Sequence, residues 1–66
     1  MNISLNGQAR ATHAHTLDGL LAEAGFDPRQ AFACALNTVF VPRAQWPQQP
    51  LREGDRVDVV VPITGG

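Results

Sequence analysis

The chain contains no lysine, and its five cationic side chains are arginines scattered along the sequence. An arginine-biased genome is the ordinary explanation. Whatever the cause, no side-chain amine is present on which a second copy could form an isopeptide bond. With a net charge of -1 and no cluster of basic residues, the sequence lacks the electrostatic signature of proteins that bind nucleic acid or anionic membranes.

Cysteine and long apolar runs are also scarce. The single cysteine, Cys34, cannot form an internal disulfide, which fits a reducing compartment. No apolar run approaches the length of about 20 residues that a membrane-spanning helix needs, and the residues after Met1 do not resemble a signal peptide. We therefore expect a cytoplasmic protein without a membrane or nucleic-acid partner.

The length of 66 residues allows one domain, and the composition of 44% hydrophobic and 17% charged residues is typical of globular proteins. A chain this short buries only about 60% of the surface that its unfolded form exposes. It has room for a binding surface but little for an enclosed active site. A stand-alone enzyme is therefore not expected.

The first half of the chain predicts a β-hairpin and one helix. Ile3 and Leu5 alternate with polar residues, Asn6-Gly7 is a strong hairpin-turn signal, and a second strand is expected over residues 8–13. Thr16 is a candidate N-cap. Gly25 is placed to end the helix, whose apolar stripe consists of Leu17, Leu20, Leu21 and Ala24.

The second half predicts three strands. Residues 32–36 and 39–41 form the first two, and one helical turn over residues 43–46 is expected to place Trp46 over an edge of the core. In the last strand, Val57, Val59 and Val61 are expected on the face toward the helix, with Asp58, Val60 and Pro62 on the other.

This order of elements predicts an α+β fold in which one helix packs on a mixed sheet of four to five strands. The first and last strands are expected to be parallel neighbours at its centre. That arrangement is the β-grasp of ubiquitin-like proteins. We expect a single β-grasp domain over residues 1–66 with a flexible C-terminal tail from about residue 63 to 66.

The tail is the main functional feature of the sequence. Pro62 has no N–H for sheet pairing, so Ile63, Thr64, Gly65 and Gly66 should project by up to about 14 Å. Glycines can pass through a channel too narrow for other residues. The terminal carboxylate is ionised and inert at neutral pH, and activation by attack on the α-phosphate of ATP is the simplest route to its reaction.

An apolar patch beside this tail predicts a docking surface. Val60 is expected on the open face of the sheet with Ala33 and Ala35 of the neighbouring strand, and Pro62 continues the patch toward the tail.

Two other motifs are given structural interpretations. His13 and His15 could share a strand face but lack further ligands, so no metal site is expected. Cys34 could be a sulfur-relay thiol, but it lies in a predicted core strand with no cation visible nearby, so we interpret it as a small buried hydrophobe.

Several short motifs, in this order and in a chain of this length, resemble the ThiS family of sulfur carrier proteins of thiamine biosynthesis. They are Ala35-Leu36-Asn37, then Val41-Pro42-Arg43 with Gln45-Trp46, then Gly54-Asp55, and finally Gly65-Gly66. The resemblance covers essentially the whole chain.

The resemblance implies a carrier that partner enzymes act on and that binds no cofactor itself. A ThiF-like adenylyltransferase would use ATP with Mg²⁺ to adenylate the Gly66 carboxylate. Sulfur from a cysteine desulfurase or a persulfide relay would convert it to a thiocarboxylate, which thiazole synthase would consume. The alternatives are a carrier of the molybdopterin synthase small-subunit type, a covalent protein tag, and a non-catalytic β-grasp interaction module.

Overall fold

The computed structural model describes residues 1–27 and 29–62. Its elements occur in the predicted β-β-α-β-β-β order, with a 3₁₀ helix before the last strand. They are β1 (Asn2–Leu5), β2 (Gln8–Ala11), α1 (Leu17–Glu23), β3 (Ala33–Leu36), β4 (Val39–Val41), the 3₁₀ helix (Arg43–Gln48) and β5 (Arg56–Val60). Within the described ranges, neither helix is long and apolar enough to cross a membrane.

The strands form one five-stranded mixed sheet in the order β2-β1-β5-β3-β4. β5 lies at its centre, parallel to β1 and antiparallel to β3. The two hairpins close at Asn6-Gly7 and Asn37-Thr38, where all four residues have positive φ, between 51° and 81°. Asn and Gly adopt this conformation more readily than other residues, which is why the Asn6-Gly7 signal was informative.

The helix begins and ends where the sequence predicts. The Oγ1 atom of Thr16 accepts a hydrogen bond from the Gly19 N–H at 3.2 Å, so Thr16 is the N-cap. Asp18 lies in the first turn, where a negative charge complements the helix dipole. Gly25 follows the helix with φ 90° and turns the chain away.

The core lies between the helix and one face of the sheet. Leu17, Leu20 and Val57 are fully buried, and Leu36 packs against the core from its margin. Trp46, expected over a core edge, is instead part of the core and only 3% exposed. Its indole is buried because the Nε1–H donates to the Val41 carbonyl at 2.9 Å, which satisfies the ring's one polar group.

Four predicted boundaries were wrong. The helical turn expected over residues 43–46 is a 3₁₀ helix that continues to Gln48. β2 ends at Ala11, before His13, and β3 begins at Ala33 rather than Phe32. β5 ends at Val60, so Val61 does not face the helix with Val57 and Val59 but is 57% exposed. The valine alternation continues past Val60, but the strand ends where pairing with its neighbours ends. Sequence periodicity carries no information about where the neighbouring strands stop.

Candidate functional site

The candidate site is the end of β5, from which the chain continues toward its C-terminus. Val60 is the last residue of this central strand, and Val61 and Pro62 follow it. The predicted reactive and access residues (Ile63, Thr64, Gly65 and Gly66) lie outside the described residues, as does the predicted flexible tail. The structure therefore defines the base from which these four residues depart.

Two asparagines hold the backbone of β5 at its opposite ends. Asn37 donates its N–H to the Arg56 carbonyl at 2.7 Å, and its Oδ1 accepts the Arg56 N–H at 2.9 Å. Asn6 donates its N–H to the Val57 carbonyl at 2.9 Å, and its Oδ1 accepts the Val59 N–H at 2.7 Å. The strand that leads to the tail is thus tied into both hairpin turns.

The face of the sheet opposite the helix carries the predicted patch. Val60 is 65% exposed and pairs directly with Ala33 across the strands. Ala35 pairs with Asp58 on β5, so both alanines belong to the same face as Val60. Pro62 is exposed just beyond the strand. The structure therefore brings the four predicted docking residues to one region at the base of the tail.

Sequence reasoning missed one large member of this surface. Phe40 pairs with Ala35 and is 65% exposed, which extends the apolar surface to the sheet edge. The signal was present, because in Val39-Phe40-Val41 the residue opposite Ala35 must share its face. We call Val60, Ala33, Ala35, Pro62 and Phe40 the open-face patch.

Charged side chains adjoin the open-face patch. Asp58 lies on β5 opposite Ala35 and shares its face of the sheet. Its Oδ2 accepts a hydrogen bond from the Arg56 Nε at 3.0 Å. Both charges are partly solvated. An apolar centre with a charged rim is the usual composition of a protein-binding surface.

Cys34 does not belong to the site. It is 1% exposed on the core face, and burial raises the pKa of its thiol to about 11. A cation is present after all, because the Arg43 charge lowers this pKa, but burial has the larger effect. A thiol with this pKa is protonated at neutral pH and is a poor nucleophile.

His13 and His15 do not share a strand face, because both follow the end of β2, and both are exposed. The His13 N–H donates to Glu23 Oε2 at 3.2 Å. A hydrogen bond from the Thr12 side chain, with smaller help from the His13 N–H and the Arg10 charge, holds the pKa of Glu23 below its usual value. Within residues 1–27 and 29–62, no group of three or more His, Cys, Asp or Glu is arranged to hold a metal ion.

The residues of the Val41-Pro42-Arg43 motif build the aromatic side of the core. The Arg43 guanidinium lies 4.5 Å from the centre of the Trp46 ring and 5.0 Å from that of Phe32. Its Nη2 donates to the Gln30 carbonyl at 2.8 Å. These contacts attach the segment before β3 to the 3₁₀ helix, so the motif supports the strand that pairs with the end of β5.

Comparison with solved structures identifies the class of fold. The crystal structure of thiamine biosynthesis protein ThiS from Geobacter metallireducens superposes with a TM-score of 0.84 at 20% identity, covering all of both chains. A solution structure of a thiamine biosynthesis protein from the same organism gives 0.78 at 20% identity, covering all of this chain and 88% of that one. The protein is a β-grasp domain of the ubiquitin-like type, as predicted.

Sequence comparison identifies the family. The sequence model described as the ThiS family matches residues 3–66. Sulfur carrier protein ThiS of Escherichia coli is 40% identical over 68 residues, covering all of both chains. A thiazole synthase of Paramagnetospirillum magneticum is 34% identical over 67 residues, and the chain spans 20% of its length.

The chain therefore belongs to the ThiS family. It is a sulfur carrier protein of thiamine biosynthesis, a protein substrate rather than a catalyst. This confirms the resemblance drawn from the sequence motifs and favours the thiamine branch over the molybdopterin synthase small-subunit type.

Proposed function

We propose that the Gly66 carboxylate is the group that carries sulfur. The observation that carries this proposal is the position of β5, whose last residue, Val60, belongs to the exposed open-face patch and stands only six residues before Gly66 in the sequence. A folded domain that presents a docking surface next to a Gly-Gly end suits delivery of that end into the active site of another protein.

The proposed chemistry has two stages. The Gly66 carboxylate attacks the α-phosphate of ATP, pyrophosphate leaves, and an acyl-adenylate forms. The terminal sulfur of a persulfide then attacks the acyl carbon and displaces AMP. A thiol cleaves the resulting S–S bond, which releases the thiocarboxylate and leaves a disulfide. ATP and Mg²⁺ are bound by the partner adenylyltransferase in this scheme, and the carrier holds no cofactor.

Each partner follows from one stage of this scheme. A ThiF-like adenylyltransferase activates the tail, and a cysteine desulfurase or persulfide relay supplies the sulfur in the cytoplasm. Thiazole synthase is the proposed acceptor. It is supported by the Paramagnetospirillum magneticum thiazole synthase, one fifth of whose length corresponds to this whole chain, so that a carrier-like segment and the synthase are joined in one polypeptide.

The open-face patch is the proposed docking surface for these partners. Val60 and Phe40, each 65% exposed, would supply the large apolar contacts. Ala33 and Ala35, on the same face of the sheet, would supply smaller apolar contacts. Pro62 would direct the chain away from the sheet, because it cannot extend the pairing of β5 with β3. Ile63, Thr64 and Gly65 would then lead Gly66 to the reacting atoms.

The proposal is tested by ATP–pyrophosphate exchange with the cognate adenylyltransferase. Deleting Gly66 moves the carboxylate by one residue, about 3.5 Å, and should abolish exchange because reaction needs atoms aligned within roughly 3–3.5 Å. Gly65→Val should also abolish exchange, since a branched side chain would not fit a channel of the partner enzyme that is only wide enough for glycine. The core residues of the described part of the chain all precede Pro62, so we expect both variants to melt within a degree or two of the parent. Exchange at the parental rate after deletion of Gly66 would refute the proposal.

A further inference from the structure

Asn6 occupies the place where the ladder between β1 and β5 stops. The two strands are paired in parallel only through Ser4 with Arg56 and Leu5 with Val57. At Asn6 the chain enters the hairpin turn with φ 51°, so its backbone leaves the direction of β1. The Asn6 side chain continues the ladder instead, because its Oδ1 accepts the Val59 N–H at 2.7 Å.

This hydrogen bond acts on the last segment of β5 before the tail. Val59 is the residue before Val60, where the strand ends. On its other side the strand is held by pairing of Val60 with Ala33. Beyond this point Pro62 offers no N–H for pairing. The side-chain amide of Asn6 on one side and Ala33 of β3 on the other therefore set the direction in which the chain leaves the sheet.

We propose that Asn6 is a positioning residue for the reaction of the tail. Its side-chain carbonyl fixes the backbone at Val59, and thereby the direction in which β5 ends beside the rest of the docked open-face patch. The inference rests on the proposed function. Asn6 acts through the backbone of β5 and contacts none of the reacting groups.

Asn37 provides a matched control within the same strand. It also has φ 51° and also accepts a β5 backbone N–H through Oδ1, but at Arg56, the end of β5 far from the tail. Its Nδ2 additionally donates to Asp55 Oδ1 at 3.1 Å. Asn37→Gly therefore removes more hydrogen bonds than Asn6→Gly while leaving the tail end of β5 in place. Glycine tolerates the positive φ in both variants.

The test is steady-state ATP–pyrophosphate exchange, measured below the melting temperature of every variant. Asn6→Gly should lower kcat by about tenfold or more, because small misplacements of reacting atoms are costly. Its KM for the carrier should change little, since the open-face patch is unaltered. Asn37→Gly should keep parental kcat. Asn6→Asp, which retains an oxygen acceptor and tolerates positive φ, should restore most of the rate. Amide hydrogen exchange at Val59 should accelerate in Asn6→Gly alone.

The outcomes separate this inference from the proposed function. If the parent is active and Asn6→Gly has the same kcat as the parent, the role of Asn6 is overturned and the sulfur-carrier chemistry still stands. Equal losses of kcat in Asn6→Gly and Asn37→Gly would also overturn it, since they would reflect stability alone. Unaltered hydrogen exchange at Val59 would show that the bond does not hold the strand in solution. A parent that gives no exchange would refute the proposed function and this inference with it.

Discussion

Val60→Asp should weaken binding of the activating enzyme without unfolding the carrier. Complete burial of a valine side chain is worth about 1.5–3 kcal/mol. Because 65% of Val60 is exposed, docking can bury about two thirds of it, or about 1–2 kcal/mol. A carboxylate left unpaired in the interface costs at least about 1–3 kcal/mol more. The sum exceeds about 2 kcal/mol, so the dissociation constant should rise at least about 30-fold.

Val39→Asp is the matched control. Val39 is 66% exposed, nearly the same as Val60, but it pairs with Leu36 and so belongs to the helix-side face at the sheet edge. The same charge placed there should leave affinity within about twofold of the parent. Phe40→Asp should behave like Val60→Asp. Isothermal titration with the adenylyltransferase, together with native circular dichroism, measures all three. Equal affinity of the parent and Val60→Asp would remove the open-face patch from the account.

Three further predictions concern the interior and its surroundings. Leu21→Ala should destabilise the fold by about 2–5 kcal/mol in urea unfolding, because Leu21 is only 3% exposed, and a loss below 1 kcal/mol would contradict its place in the core. Cys34 should react with thiol reagents at pH 7 far more slowly in the folded protein than after unfolding, because it is only 1% exposed and burial raises the pKa of its thiol, and Cys34→Ala should still accept sulfur at Gly66. Since its pKa is lowered in the folded state, Glu23 should stabilise the fold above its unfolded pKa, and this contribution should disappear as pH falls through the folded value. Urea unfolding of Glu23→Gln should therefore differ from the parent at pH 7 and converge with it at low pH, whereas a constant difference would contradict this.

Local signals predicted much of this fold. The Asn6-Gly7 turn, the Thr16 cap and the Gly25 stop each depend on a few neighbouring residues, and all three are present. The shared face of Val60, Ala33 and Ala35 followed from alternation once β3 and β5 were taken as neighbours. These features are predictable because their physical causes lie within about ten residues of sequence or in a simple period of two.

Features that depend on distant residues were not predicted. Val61 continues the valine alternation, yet it is exposed because β5 ends at Val60. The burial of Trp46 depends on its N–H donating to a carbonyl in β4. Arg43 affects Cys34 because it lies two residues after Val41, the residue of β4 that pairs with Cys34. The role of Asn6 depends on the register of β1 against β5. Each requires knowledge of which elements meet in space.

The central claim is that sulfur is carried on the C-terminal carboxylate, and intact-mass spectrometry tests it most directly. The protein is incubated with the adenylyltransferase, ATP, Mg²⁺, a cysteine desulfurase and cysteine. We expect a mass increase equal to the replacement of one oxygen by one sulfur, located by fragmentation in the peptide that ends at Gly66 and absent when ATP is omitted. A sulfur adduct on Cys34 in place of Gly66 would contradict sulfur carriage on the C-terminal carboxylate. An unchanged Gly66 peptide under conditions in which pyrophosphate is released would contradict it as well.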